Sequence, residues 1–399
     1  MNVRTNTAQV ISVRGRRAAV AGALLLAALA AAPAHAGPNE QARRIYERIA
    51  GVPPTAADWP ALQSCISGGQ LNFACAAQYA TSAPTFYSVT LKNMVIPWTN
   101  RDQTVFAPFN DYAATVIGMV RDDKDFRTAL SADILYTLKT PGLPAPSLAD
   151  NNHYATAEAQ GVNLMTDLQP TTQSGTYGIP AAATAGLITT RGATSSFFIN
   201  GTNRAMFRFT MINHFCNDMP TLMDTTRPSD RIRQDVARSP GGDSRIFLNN
   251  CVGCHSGMDP MAQAFAFYNF NATTGAMVYT QGQVQPKYLI NAFNFPFGFV
   301  TPDDSWSNRW RSGPNAALGW GAGPGSGNGA KSLGAELASS ATFAQCQVTK
   351  VFQAVCFRAP VDSADLNTVA AMTASFTSPA GGYKLKAMFQ QAAAACPGP

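Results

Sequence analysis

Residues 245–260 read RIFLNNCVGCHSGMDP. Cys251 and Cys254 stand three positions apart, and His255 follows the second thiol directly. In an early helical turn that spacing places both sulfurs and the imidazole on one side. Thiols so placed can each add to a vinyl group along one edge of a porphyrin. The imidazole then lies beneath the ring and offers a nitrogen to the iron. The expected chemistry is one covalent haem c, attached through Cys251 and Cys254 and ligated by His255. Phe247 and Leu248, just ahead of Cys251, are expected to lay an apolar helix face on the porphyrin.

Two other chemistries use a CxxC pair. A zinc site wants further ligands at short spacing, and beyond residue 36 the histidines are only His153, His214 and His255. A thioredoxin-like redox pair belongs to a βαβ pattern, which this sequence lacks. The second face of the iron is less well specified. Met258 and Met261 follow His255 too closely to swing round the ring. Met277 is the next methionine, and His214 sits on a predicted helix ahead of the motif. These two are the candidate metal ligands, with an open or water-bound position as the third option. Trp306, Trp310 and Trp320, interleaved with Arg309 and Arg311, are read as pinning a long loop to the core. An edge for the haem, an electron relay and a partner surface are the alternatives. Arg245 or one of the two loop arginines is a candidate partner for a haem propionate.

Residues 1–36 predict a cleaved signal peptide. Arg14, Arg16 and Arg17 precede an apolar run that closes on Ala34-His35-Ala36 before Gly37. That run is shorter than the roughly 20 residues a spanning helix needs, so cleavage is expected; no second apolar run reaches that length, so no transmembrane segment is expected in the mature chain. The segment holds four arginines and no acids. Without it 25 bases face 23 acids, and the net charge falls from +6 to near +2. No basic stripe remains of the kind nucleic acid requires. Export to the periplasm suits the remaining six cysteines, which can form three disulfides. Cys65–Cys75 is the expected pair. Cys346 and Cys356, ten residues apart on one predicted helix, face different directions and are not expected to bond.

The elements that carry these residues are expected to be mainly α. Helical spacing covers 40–50, 109–136, 203–216, 341–358 and 363–395, the last interrupted at Pro379. Residues 138–185 read as loop with one helix near 156–167. Residues 276–300 read as short strands or extended packing, and 312–334 as a glycine-rich loop with no core-forming pattern. The polar stretch 224–243 is the candidate boundary ahead of the haem motif. The expectation is a helical multidomain protein with long loops: an N-terminal helical region over 37–150, a middle region over 151–240, and a cytochrome c-like haem region over 241–399.

The segment CVGCHSGMDPMAQAFAFYNFNATTG resembles the CxxCH-x-x-M-D-P segment of large exported cytochrome-like proteins whose domains are of unknown function. Phe265, Phe267, Phe270 and Gly275 stand at that family's phenylalanine-rich helix and glycine turn. GLITTRGATSSFF, the HFC of 214–216 and FAQCQVTKVFQAVCFRAP are similar to other stretches of the family. The likeness covers 186–395 and, more weakly, 105–140. This chain has a shorter N-terminal part than many members. The resemblance implies haem on Cys251, Cys254 and His255, and little about a substrate.

Three functions are compatible with a single covalent haem. One is single-electron transfer to or from a redox partner protein. The second is a haem-dependent oxidoreductase of peroxidase or oxygenase type with an open iron site. The third is an envelope binding module in which the haem is structural. About 100 residues suffice to carry one haem, so the rest of the chain must dock a partner, bind a ligand or shape a site.

Overall fold

Pro38 in the first turn and Gly51 in the left-handed conformation bracket the first helix, α1 (Pro38–Ala50). The computed structural model describes residues 36–396, so the predicted signal peptide lies almost wholly outside the described residues. α1 buries Ala42, Ile45, Tyr46 and Ile49. α2 (Trp59–Ser64) and α3 (Phe73–Thr81) flank a tight hairpin, Ile66–Ser67 with Gln70–Leu71, and Cys65–Cys75 clips its base as expected.

α4 (Asp111–Arg121) is buried on every side from Asp111 to Val120, as a central helix must be when it is apolar all round. The helix predicted over 109–136 therefore ends early. Asp123 adopts a positive φ, a short 3-10 turn spans Phe126–Leu130, and Leu135–Leu138 is a strand. That strand pairs antiparallel with Leu168–Thr171, placing Leu135 opposite Thr171. All four of its residues are buried, so its apolar run carries no alternation to separate strand from helix. The strand passes so close to α4 that a Cβ on Gly118 would sit 2.1 Å from the Tyr136 ring.

The 138–185 stretch holds α5 (Asn152–Ala159) and two shorter helical turns. α6 (Arg191–Phe197), capped by Thr190, leads to α7 (Arg204–Phe215). A long irregular segment then reaches α8 (Val252–Ala262), the helix of the CxxCH motif. Residues 268–279 form a hairpin, Tyr268–Asn271 with Ala276–Tyr279. The 312–334 region is more ordered than its glycines suggest. It contains a turn at Pro314–Leu318, a strand at Ser326–Asn328 paired with Ser305–Ser307, and the start of α9 (Gly329–Ala338). α10 (Ala341–Cys356), α11 (Ser363–Thr377) and α12 (Leu385–Ala395) complete the mainly helical fold.

Cys216–Cys346 ties the end of α7 to α10, and Cys356–Cys396 ties the end of α10 to that of α12. Three disulfides are the chemistry of an oxidising compartment, extracellular or periplasmic. Among the described residues no helix is long and apolar enough to cross a membrane. The main apolar core draws on all three predicted regions, with Ile45, Val116, Phe207, Met261, Phe343 and Phe389 in one cluster. A small separate cluster, Ile232, Phe247 and Val252, lies beside Cys251.

Candidate functional site

The helix of the motif starts where the Asp243 carboxylate accepts the Arg245 backbone N–H. A wide turn over Phe247–Cys251 runs straight into α8. Cys251, Cys254 and His255 thus occupy consecutive turns of one helix. The two cysteines are the free thiols among the described residues, both partly exposed. Cys251 packs on the Ile232–Phe247–Val252 cluster, and Cys254 on the main core with its Sγ 3.5 Å from the Met219 carbonyl. Burial pushes the Cys254 thiol up, so it stays protonated.

His255 is one-fifth exposed, and its Nδ1 lies 3.1 Å from Oδ1 of Asp259, one turn further along α8. Nδ1 donates to the carboxylate, which leaves Nε2 as the nitrogen available to a ligand. The Asp259 side chain is fully buried, and two arginines answer its charge. Arg204 grips it with Nε at 2.6 Å and Nη2 at 2.8 Å. The same guanidinium holds Asp235 at 2.6 and 2.9 Å. Arg233 points its backbone N–H at Asp259 from 3.4 Å and brings its guanidinium to 4.0 Å. Burial alone would raise the Asp259 carboxyl; Arg204 and Arg233 overrule it and hold it well below the usual carboxylate range. Arg233 stacks on the Tyr288 ring and donates to Thr202 Oγ1 at 2.9 Å. Two arginines and two aspartates therefore form a neutral buried clamp behind His255.

Phe247 and Leu248, ahead of the motif in the chain, wall an open groove of about 470 Å³ with Ile232, Phe295 and Phe299; Cys251, Cys254 and His255 do not line it. Arg238 crosses it, sandwiched between the rings of Phe247 at 4.8 Å and Phe295 at 4.4 Å. The segment beside it exposes Phe293 (81%) and Phe297 (91%), with Leu289, Ile290 and Val300 about half exposed. So much exposed apolar surface in one segment is uncommon on a folded protein. Leu248 is half exposed towards it, whereas Phe247 is buried, so only the former remains an open apolar contact.

The other face of α8 is braced by the tryptophan loop. Trp310 is fully buried and so close to the helix that a Cβ on Gly257 would lie 2.0 Å from its Nε1. Trp320 donates its indole N–H to the Trp310 carbonyl at 2.8 Å, and Trp306 donates to Ser332 Oγ at 2.7 Å. Arg311 pairs with the buried Glu336, and Arg309 with Asp230. Arg245 pairs with Asp243 on the surface. The three tryptophans, Arg309 and Arg311 hold the loop, which is the simpler of the roles expected for them.

His214 lies in the core, not at the groove lined by Phe247 and Phe295. Its Nε2 is 2.8 Å from the Tyr112 hydroxyl and its Nδ1 3.4 Å from Gln347 Nε2, with Trp98 and Phe343 around the ring. Burial, aided by Lys350, pushes its pKa down to about 3, so the imidazole is neutral. Met277 is buried in the second strand of the 268–279 hairpin, opposite Phe270. His153 is spent on structure too, accepting from Leu138 N and bonding the Pro144 carbonyl. Among the described residues no three His, Cys, Asp or Glu side chains converge as a metal cage, and a zinc site would need such a group.

Sequence reasoning missed the clamp. Asp259 carried a local signal, since it stands four residues after His255 on a helix. Arg204, Arg233 and Asp235 carried none, because their partners are distant in the chain. The chain matches no family model, and no curated protein or solved structure is significantly similar to it.

Proposed function

We propose that this chain is an exported monohaem c-type cytochrome that passes single electrons to or from a redox partner protein. The observation that carries the reading is the pairing state of the cysteines: six are in disulfides, while Cys251 and Cys254 remain free beside His255 on one helix. In an oxidising compartment two thiols kept apart in this way suit covalent attachment.

The motif residues supply the groups that a covalent haem would need. Each thiol can add its S–H across one vinyl group to give a thioether, with no oxidant required. His255 would offer Nε2 to the iron, because Asp259 occupies Nδ1. The groove beside Leu248 would offer apolar contacts from Phe295 and Phe299, and Arg238 would offer a cation for a propionate. When bound, the cofactor supplies one-electron exchange at its iron. His214 would have to leave Tyr112 and Gln347 to serve as the second axial ligand, and Met277 its place in the hairpin.

One observation favours the second reading, a haem-dependent oxidoreductase with an open iron site. A histidine backed by a buried carboxylate is a strong electron donor to its metal, and that suits activation of a bound oxidant.

Both readings stand on covalent haem. The test is expression in a host able to attach haem c, followed by a denaturing gel stained for haem peroxidase activity. The wild-type band should stain, and the Cys251→Ala/Cys254→Ala variant should not. An unstained wild-type band from a competent host would overturn the proposal.

A further inference from the structure

We infer that Asp259 is a positioning residue for His255 and sets the redox balance of the site, with Arg204 and Asp235 holding its carboxylate in place. The inference rests on the haem reading above.

The argument starts from the helix. Residues four apart share a face, so the His255–Asp259 contact needs only a regular α8. A carboxylate with no exposure is costly unless it is paired and hydrogen-bonded, and here every part of it is engaged. Oδ1 accepts from His255 Nδ1 at 3.1 Å and from Arg204 Nε at 2.6 Å. Oδ2 accepts from Arg204 Nη2 at 2.8 Å and faces the Arg233 backbone N–H at 3.4 Å. A planar fork on both oxygens stops the carboxylate from turning. Asp235 holds the far edge of that fork, so Arg204 cannot drift either.

The consequence reaches the nitrogen on the opposite side of the imidazole. An ionised acceptor at Nδ1 fixes the tautomer, aims Nε2 outward and makes it more basic. A more basic ligand favours the higher-charged, ferric state. The two arginines moderate this by drawing on the same carboxylate. The site therefore carries a histidine of increased but tuned donor strength.

The experiment is a potentiometric titration of purified, haem-loaded protein, wild type against Asp259→Asn. The hyperfine-shifted Nδ1–H resonance of His255 is read by NMR in the same samples. Asp259→Asn should shift the ferric/ferrous equilibrium at least tenfold toward ferrous, which is 59 mV for one electron. The Nδ1–H resonance should move and exchange faster with solvent. If Asp259→Asn does not fold, Asp235→Asn serves instead. That variant leaves the His255–Asp259 bond in place but releases one grip on Arg204, and a shift of about threefold in the same direction is expected. Intact covalent haem with an equilibrium unchanged by either variant overturns the inference and leaves the cytochrome reading standing. A shift without any change at Nδ1–H also overturns it, since the carboxylate would then act only as a distant charge. Wild-type protein that carries no covalent haem instead removes the reading on which the inference rests.

Discussion

Removing the Cys216–Cys346 bridge should cost more than removing either of the others, and loop closure sets the size. The three bridges close loops with sequence separations of 130, 40 and 10 residues. Loop-closure entropy then gives about 5 kcal/mol for Cys216–Cys346, about 4 for Cys356–Cys396 and about 3 for Cys65–Cys75. Alanine pairs are the suitable perturbation, because Cys346, Cys356 and Cys396 are buried and a serine hydroxyl would add its own penalty. Over the roughly 360 residues described and with an unfolding entropy near 2.1 cal/mol/K per residue, 5 kcal/mol corresponds to a Tm drop of about 6–7 °C. Guanidinium titration followed by near-ultraviolet circular dichroism gives the free energies. The slope m should also rise most for Cys216→Ala/Cys346→Ala, because the longest cross-link keeps the unfolded chain most compact. The reasoning fails if Cys65→Ala/Cys75→Ala proves the most destabilising pair, or if m is the same for all three.

Two further outcomes follow from single side chains. Glu336 is buried and accepts from Arg311, from Asn308 Nδ2 at 2.7 Å and from the Gly325 N–H at 3.0 Å. Burial opposes its ionisation, but these donors hold its pKa below the ordinary 4.5. Its folded pKa is depressed, so its contribution is fully present above about pH 4.5 and is lost as pH falls through the folded value. Glu336→Gln should lower stability at pH 7 by about 2 kcal/mol and flatten the acid limb of a stability-against-pH curve. Gly257→Ala should cost about 3 kcal/mol by driving a methyl into Trp310, and native-state tryptophan emission should shift to the red. Gly253→Ala meets Met223 only at 3.3 Å and should cost under ~1 kcal/mol, which makes it the control.

Much of the motif was legible because its parts are neighbours in the chain. Cys251, Cys254 and His255 need only one helix to share a face, and Cys65–Cys75 needs only a short hairpin. The helices at 38–50, 204–215 and 341–356 follow their apolar spacing closely. The misread segments each have a physical cause. Leu135–Leu138 is buried on both faces, so its pattern blends into that of the helix before it. α9 lies so close to the 126–130 turn that a Cβ on Gly334 would be 1.7 Å from the Leu130 carbonyl. Only small residues fit such an approach, and small residues carry little hydrophobic signal. The clamp behind His255 and the groove walled by Phe295 and Phe299 depend on chain segments meeting from a distance. No local pattern announces either one.

α10 carries two half-cystines whose partners lie on opposite sides of it in the chain, Cys216 well before and Cys396 after. A chain that emerges N-terminus first presents Cys216 long before its partner exists. The next thiols to appear are Cys251 and Cys254, about 35 residues later. Both therefore stand between Cys216 and its partner Cys346 in the order of synthesis. If the proposed haem attachment caps the two motif thiols, it removes the nearest competitors for Cys216. Attachment at Cys251 and Cys254 would then do more than hold a cofactor: it would safeguard the pairing of a bridge that contains neither of them.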